Sequence, residues 1–166
     1  MKTSWQVATA AEAFAAAQFA RCGWDVSVQY GANQPEYDLV VVDGGRMLKV
    51  SVKGSRDGAW GLAQSYLKNG DYHAAIDRWL AKHSAKAIFC LVQFGGVELH
   101  QLPRMYLATP DEIAAMLKAG AGGRGETILH EHHVWTARAA GAGTVEQIPA
   151  SWTFTAERLE ELAGRS

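Results

Sequence analysis

Asp38 and Lys53 are the two residues whose types and setting could do chemistry together. Asp38 opens the apolar run Leu39-Val40-Val41-Val42, and Lys53 closes the run Leu48-Lys49-Val50-Ser51-Val52, with Gly44-Gly45 between the runs. That pattern reads as two short strands joined by a tight turn. Such a hairpin sets the start of the first strand beside the end of the second. A carboxylate and a lysine held there can keep a divalent cation and a water next to a phosphodiester. Alternation along the second strand puts Leu48, Val50 and Val52 on one face and Met47, Lys49, Ser51 and Lys53 on the other.

The surrounding elements must position this pair. Ser4 caps a helix that runs to about Cys22 and stops at Gly23, with Glu12 near its middle. Residues 24–30 alternate with period two, as a half-buried strand does. Residues 31–35 form a turn. Residues 54–61 read as a loop, and helical material follows to about His83, broken near Asn69-Gly70. Residues 87–94 form a buried strand, Gly95-Gly96 a turn, and residues 97–102 its hairpin partner. Thr109-Pro110-Asp111-Glu112 has the form of a helix start, with a capping threonine, a proline in first position and an acid to close the box. Residues 127–136 form a further strand, and Thr155 caps a last short helix. The fold class is α/β (α+β), a mixed central sheet flanked by helices.

A chain of 166 residues fits a single domain over 1–166. Nearly half its residues are hydrophobic and six are tryptophan, which excludes a disordered chain. No apolar run reaches the ~20 residues a bilayer requires, so no membrane partner is expected. Cys22 and Cys90 match no metal or redox spacing, and with no export signal they point to a reducing, cytoplasmic setting. The net charge of −1 excludes a uniformly basic nucleic-acid binder. Residues 46–86 nevertheless hold eight Lys and Arg against three Asp, a local excess of five. Such a segment suits a phosphate-bearing partner, or simply a solvated helix face.

The order helix, three strands, helix, strand, with Glu12, Asp38, Ser51 and Lys53 at these positions, resembles the PD-(D/E)XK nuclease superfamily. It is most similar to restriction-endonuclease-like and Holliday-junction-resolvase-like members. The resemblance covers about residues 5–95 as a nuclease-like core and leaves about 96–166 as a C-terminal extension. It implies metal-dependent hydrolysis of DNA, with RNA left open as a partner, Mg²⁺ or Mn²⁺ as cofactor, and a possible homodimer. Asp38 would be the first-motif acid, preceded by Pro35-Glu36-Tyr37. Ser51-Val52-Lys53 would be the second motif, with the lysine present and the acid replaced by serine. Glu12 would be the accessory acid of the first helix. The implied metal donors are Asp38, Glu12 and the carbonyl of Val52, with Lys53 holding the attacking water or the developing charge. Ser51 weakens the metal set, which leaves three outcomes: compensation by Glu12 or Glu36, activity with weak metal binding, or an inactive scaffold kept for binding nucleic acid or protein.

The resemblance also implies that Gln64 approaches the catalytic strand; an ordinary polar helix residue is the alternative. Arg56 and Lys49 are candidate phosphate contacts. Trp60, in a glycine-rich stretch, could stack on a base or pack over the edge of the core. His130 and His132 would share a strand face and could bind zinc if a third ligand arrived, which defines a competing reading as an unrelated α/β domain. The glycines over 120–125 lack a following Gly-Lys-Ser/Thr and form a loop, not a phosphate cradle.

Overall fold

The computed structural model describes residues 1, 3–29 and 36–165, so the turn expected over 31–35 lies outside the described residues. The first half of the chain runs α1 (Ser4–Arg21), β1 (Asp25–Val28), β2 (Leu39–Asp43), β3 (Arg46–Ser55), β4 (Ala59–Gly61), a 3-10 turn (Gln64–Tyr66) and α2 (Tyr72–Leu80). The second half runs β5 (Ile88–Gln93), β6 (Arg104–Ala108), α3 (Pro110–Ala119), β7 (Ile128–His130), β8 (His132–Val134), β9 (Val145–Gln147) and α4 (Ala156–Ala163). Helices and a mixed sheet make this an α/β protein, as the sequence pattern indicates.

The chain forms two compact units. The first comprises Met1–Asp57, Lys86–Thr109 and Ala150–Ser166. Its sheet has the strand order β1-β2-β3-β5-β6. β1, β2 and β3 form an antiparallel meander; β5 joins β3 in parallel, and β6 closes the edge antiparallel to β5. Ala11, Ala15 and Phe19 of α1 pack on Leu39, Val41, Leu48, Val50 and Val52, with Leu159 and Leu162 of α4 in the same core. Leu39 and Val41 of β2 and Leu48, Val50 and Val52 of β3 alternate along their strands and turn one face to this core.

α1 starts one residue earlier than Ser4 suggests. Thr3 is the N-cap: its hydroxyl accepts from the Gln6 amide, and the Gln6 side chain accepts from the Thr3 amide. Glutamine three residues after threonine completes the box, a partnership that Ser4 lacks. The strand expected over 97–102 is absent. β5 pairs instead with Arg104–Ala108, and Leu99 and Leu102 are exposed. Alternation without burial does not hold a strand, and Pro103 interrupts the segment.

The second unit comprises Gly58–Ala85 and Pro110–Pro149. Helices α2 and α3 pack together, and β4 pairs with β7 and β8 with β9. Ile76, Trp79, Ile113, Leu117 and Leu129 are among its buried side chains. Asp71 caps α2 through the Ala74 amide. The strand expected over 127–136 is divided at Glu131, whose amide donates to the Gly58 carbonyl and whose carbonyl accepts from Ile148. β7 and β8 therefore serve different partners.

Candidate functional site

The site lies in the first unit, where β2 begins and β3 ends. The ladder ends with Leu39 opposite Val50, and Asp38 directly precedes it. Asp38 is fixed at three points. Its amide donates to the Val50 carbonyl at 2.9 Å, and its carbonyl accepts from Gln29 at 2.9 Å. Its carboxylate Oδ2 accepts from the Val52 amide at 2.6 Å. That last bond replaces the ladder bond that β2 is too short to supply. A strand residue's N–H and C=O leave by the same edge, so the Val52 carbonyl faces the side that carries Asp38.

Ser51 is buried, at 2% exposure. Its hydroxyl donates to the backbone carbonyl of Glu36. The position that resembles a family acid therefore works here as a clamp on the segment leading into Asp38. Lys53 follows on the same face of β3 as Ser51 and is exposed.

α1 brings the second carboxylate. It crosses β3 at Gly54, where an added Cβ would lie 2.8 Å from the Ala11 Cβ, 2.9 Å from the Val7 carbonyl oxygen and 3.0 Å from the Val7 Cγ1. Only glycine lets the helix backbone come this close. Glu12 follows Ala11 and is half-buried. Burial pushes its carboxyl above the usual range, the Asp38 charge pushes it further, and the Lys53 ammonium draws it back. The Glu12 carboxyl is thus within reach of the charges of both Asp38 and Lys53.

The donors at this site are all oxygens. Two carboxylates and an outward-facing strand carbonyl fit Mg²⁺ or Mn²⁺, which accept one or two carboxylates and keep several waters. Among the described residues no group of three or more His, Cys, Asp or Glu is placed to hold a metal, so a ligand-rich zinc-type cage is not formed.

The remaining candidates divide. Lys49 is exposed on the same face of β3 as Lys53, with its Nζ 5.0 Å from the centre of the Tyr37 ring. Arg56 is exposed and its Nη1 donates to the Met1 carbonyl at 2.5 Å. Gln64 belongs to the second unit, where its side-chain amide lies against Gly61. Trp60 is corrected from a loop residue to a buried one: it sits in β4 opposite Leu129 at 3% exposure, with no face left for a base. His130 and His132 do not form a pair. The division at Glu131 resets the alternation, and His130 stacks on His133 instead, with ring centres 4.3 Å apart and planes 20° apart. Stacked rings direct their in-plane lone pairs along parallel lines, not toward one ion. The basic segment 46–86 is shared between the two units, and its Arg46 is tied to Asp43 and Glu160.

One polar side chain carried no sequence signal. Gln93 ends an apolar strand and is fully buried; its Oε1 accepts from the Gly95 amide at 2.7 Å. Its Nε2 has no hydrogen-bond partner among the described residues. The pairing of Ser55 with Gln93 places it on the Lys53 face of the sheet.

These elements define the class as a mixed α/β protein. No protein-family model matches the chain, and no curated protein matches it. Among solved structures it is similar to a bacterial homing endonuclease, I-Ssp6803I, at 16% identity and a TM-score of 0.45, over 82% of this chain and 81% of that one. Likeness at this level assigns no activity to this chain.

Proposed function

We propose that this protein is a metal-dependent nuclease that hydrolyses DNA phosphodiester bonds at the Glu12–Asp38–Lys53 cluster. The setting of Glu12 supports this reading: burial raises its carboxyl, Asp38 raises it further and Lys53 lowers it. Two carboxylates and a lysine gathered at one sheet end have a use that a solvated surface does not require. Asp38 and Glu12 would hold Mg²⁺ or Mn²⁺, with the Val52 carbonyl as a further donor. When bound, the cation supplies a lowered water pKa and neutralises phosphate charge.

The chain's own residues do the positioning. Lys53 holds the attacking water or stabilises the charge that develops on the phosphate. Ser51 keeps Asp38 in place through the Glu36 carbonyl. Lys49 and Arg56 meet flanking phosphates, which set the substrate's position without reading its sequence. With serine in place of the second acid, cation affinity falls below that of a three-acid site, and activity needs millimolar metal.

The test is cleavage of supercoiled, linear, branched and single-stranded DNA in Mg²⁺ and Mn²⁺, with Lys53→Ala and Asp38→Ala beside the parent. Cleavage by the parent that is lost in both variants supports the proposal. A second reading, a catalytically inactive nucleic-acid-binding scaffold, is favoured by the buried hydrogen bond of Ser51. It predicts DNA binding without cleavage and no thermal stabilisation by either metal.

A further inference from the structure

Residues 97–102 form no strand and leave two leucines in water. Leu99 is fully exposed and Leu102 is 61% exposed. The segment is nevertheless braced. The Gln101 amide donates to the Glu98 carbonyl at 2.9 Å, and the Gln101 Oε1 accepts from the Glu98 amide at 3.0 Å. These two bonds close a β-turn with Leu99 and His100 at its tip. Arg104 secures the exit of the segment, its Nη2 donating to the Gly95 carbonyl at 2.9 Å. An apolar side chain presented this way is unfavourable in water until a second surface covers it, and little conformational freedom is left to lose when that happens.

The same surface of the first unit holds the counterpart. One hollow of about 370 Å³ is lined by Ala10, Phe14, Phe94, Val97 and Pro103, with Leu99 at its wall. A second, also of about 370 Å³, is lined by Leu102, Pro103, Met105 and Phe154. Pro103 belongs to both, so the segment stands between two apolar hollows. Knobs and hollows side by side make this surface complementary to itself. Its exposed charges agree: Glu98 and Arg104 flank the leucines with opposite signs. A copy related by a twofold axis near Gln101 lays the segment antiparallel to itself. Glu98 then meets the partner's Arg104, the reciprocal pair forms on the other side, and each Leu99 enters the other copy's hollow. A polyanion is a poorer fit, since Glu98 repels it and the apolar walls offer it nothing.

We infer that the surface around residues 97–104 is the interface of a twofold homodimer, anchored by Leu99 and framed by the Glu98–Arg104 pairs. The inference rests on packing and charge in the first unit, and it is independent of whether the Glu12 cluster cleaves DNA.

The experiment is sedimentation equilibrium of the full chain over roughly 1–100 μM. The parent should be dimeric over most of this range. Leu99→Ala should dissociate about tenfold more readily or worse, and Leu99→Glu should be monomeric throughout. Leu99 is fully exposed, so both variants should keep the parent's circular dichroism and melting temperature. Glu98→Arg and Arg104→Glu should each weaken the dimer at low salt, and the two together should restore it. A parent that stays monomeric overturns the inference. So does a dimer that Leu99→Glu leaves intact, because another surface then forms it, and so does a double charge exchange no tighter than either single one. A monomeric parent that sediments with phosphatidylcholine–phosphatidylserine vesicles, and loses this in Leu99→Glu, would overturn it in favour of a lipid surface.

Discussion

Gly54→Ala tests whether the approach of α1 to β3 builds the site. One methyl group would be placed 2.8 Å from the Ala11 Cβ and 2.9 Å from the Val7 carbonyl oxygen. Ordinary carbon contacts lie at about 3.5–4.0 Å, so a separation of roughly 0.7 Å must open. Neither obstacle is the end of a flexible side chain, so the helix itself has to move. Overpacking of this kind costs about 1–3 kcal/mol, which lowers Tm by roughly 3–10 °C in a chain this size. Without the helix the sign would be opposite, since alanine in a strand is favoured over glycine by roughly 0.5–1 kcal/mol. A displaced helix carries Glu12 away from Asp38 and Lys53, and misplacement by about 1 Å can cost a hundredfold in rate. Adding Ala11→Gly removes the nearest contact but not the Val7 carbonyl, so the double variant should recover part of the loss. Thermal melts and kcat for the parent, both single variants and the double variant make the cycle. A Gly54→Ala protein as stable as the parent, with unchanged kcat, would refute the reasoning.

Ser51→Ala removes the hydroxyl bonded to the Glu36 carbonyl and should cost about 1 kcal/mol, read as a Tm loss of roughly 2–4 °C. Ser51→Asp adds a buried carboxylate next to Val52, whose amide donates to the Asp38 carboxylate; the metal-free protein should melt lower than the parent, and millimolar Mn²⁺ should raise its Tm more than the parent's. Because the folded-state pKa of Glu12 is raised, chiefly by burial and then by Asp38, its ionisation begins to oppose folding above the ordinary carboxylate value and does so fully above the raised one. Glu12→Gln should therefore be more stable than the parent at neutral pH, with the gain shrinking as pH falls through the folded pKa and gone below the ordinary carboxylate range; urea melts across pH measure it. Cys90 is fully buried and its thiol is pushed far up by burial, while Cys22 is half-buried and raised more modestly. A thiol reagent should label Cys22 slowly in the native protein and reach Cys90 only in denaturant.

Much of the first unit was legible because local signals and burial agree there. The glycine turn at 44–45 flanked by apolar runs is the β2–β3 hairpin, and the run over 87–94 contains the buried β5. Thr155 marks the start of α4 there, as Pro110 marks that of α3 in the second unit. The order of Glu12, Asp38 and Lys53 is visible in the sequence, but the close approach of α1 to β3 depends on Gly54, whose role as a helix crossing point no local pattern announces. What failed did so where partners come from far along the chain. Residues 97–102 alternate like a strand, yet the partner of β5 is Arg104–Ala108. Trp60 sits among glycines like a loop residue, yet pairing with Leu129 buries it. Around His130 the period of two breaks because Glu131 gives its amide to Gly58 and accepts from Ile148. Ser51 stands where the resemblance expects an acid, but its bond to the Glu36 carbonyl has no sequence signal.

The central claim is that Glu12, Asp38 and Lys53 form one electrostatic cluster. The most direct test is an NMR titration of the Glu12 side-chain carboxyl in the parent, Asp38→Asn and Lys53→Met proteins. A midpoint raised in the parent, lowered by Asp38→Asn and raised further by Lys53→Met is the predicted result. An ordinary glutamate midpoint that neither substitution moves would contradict it.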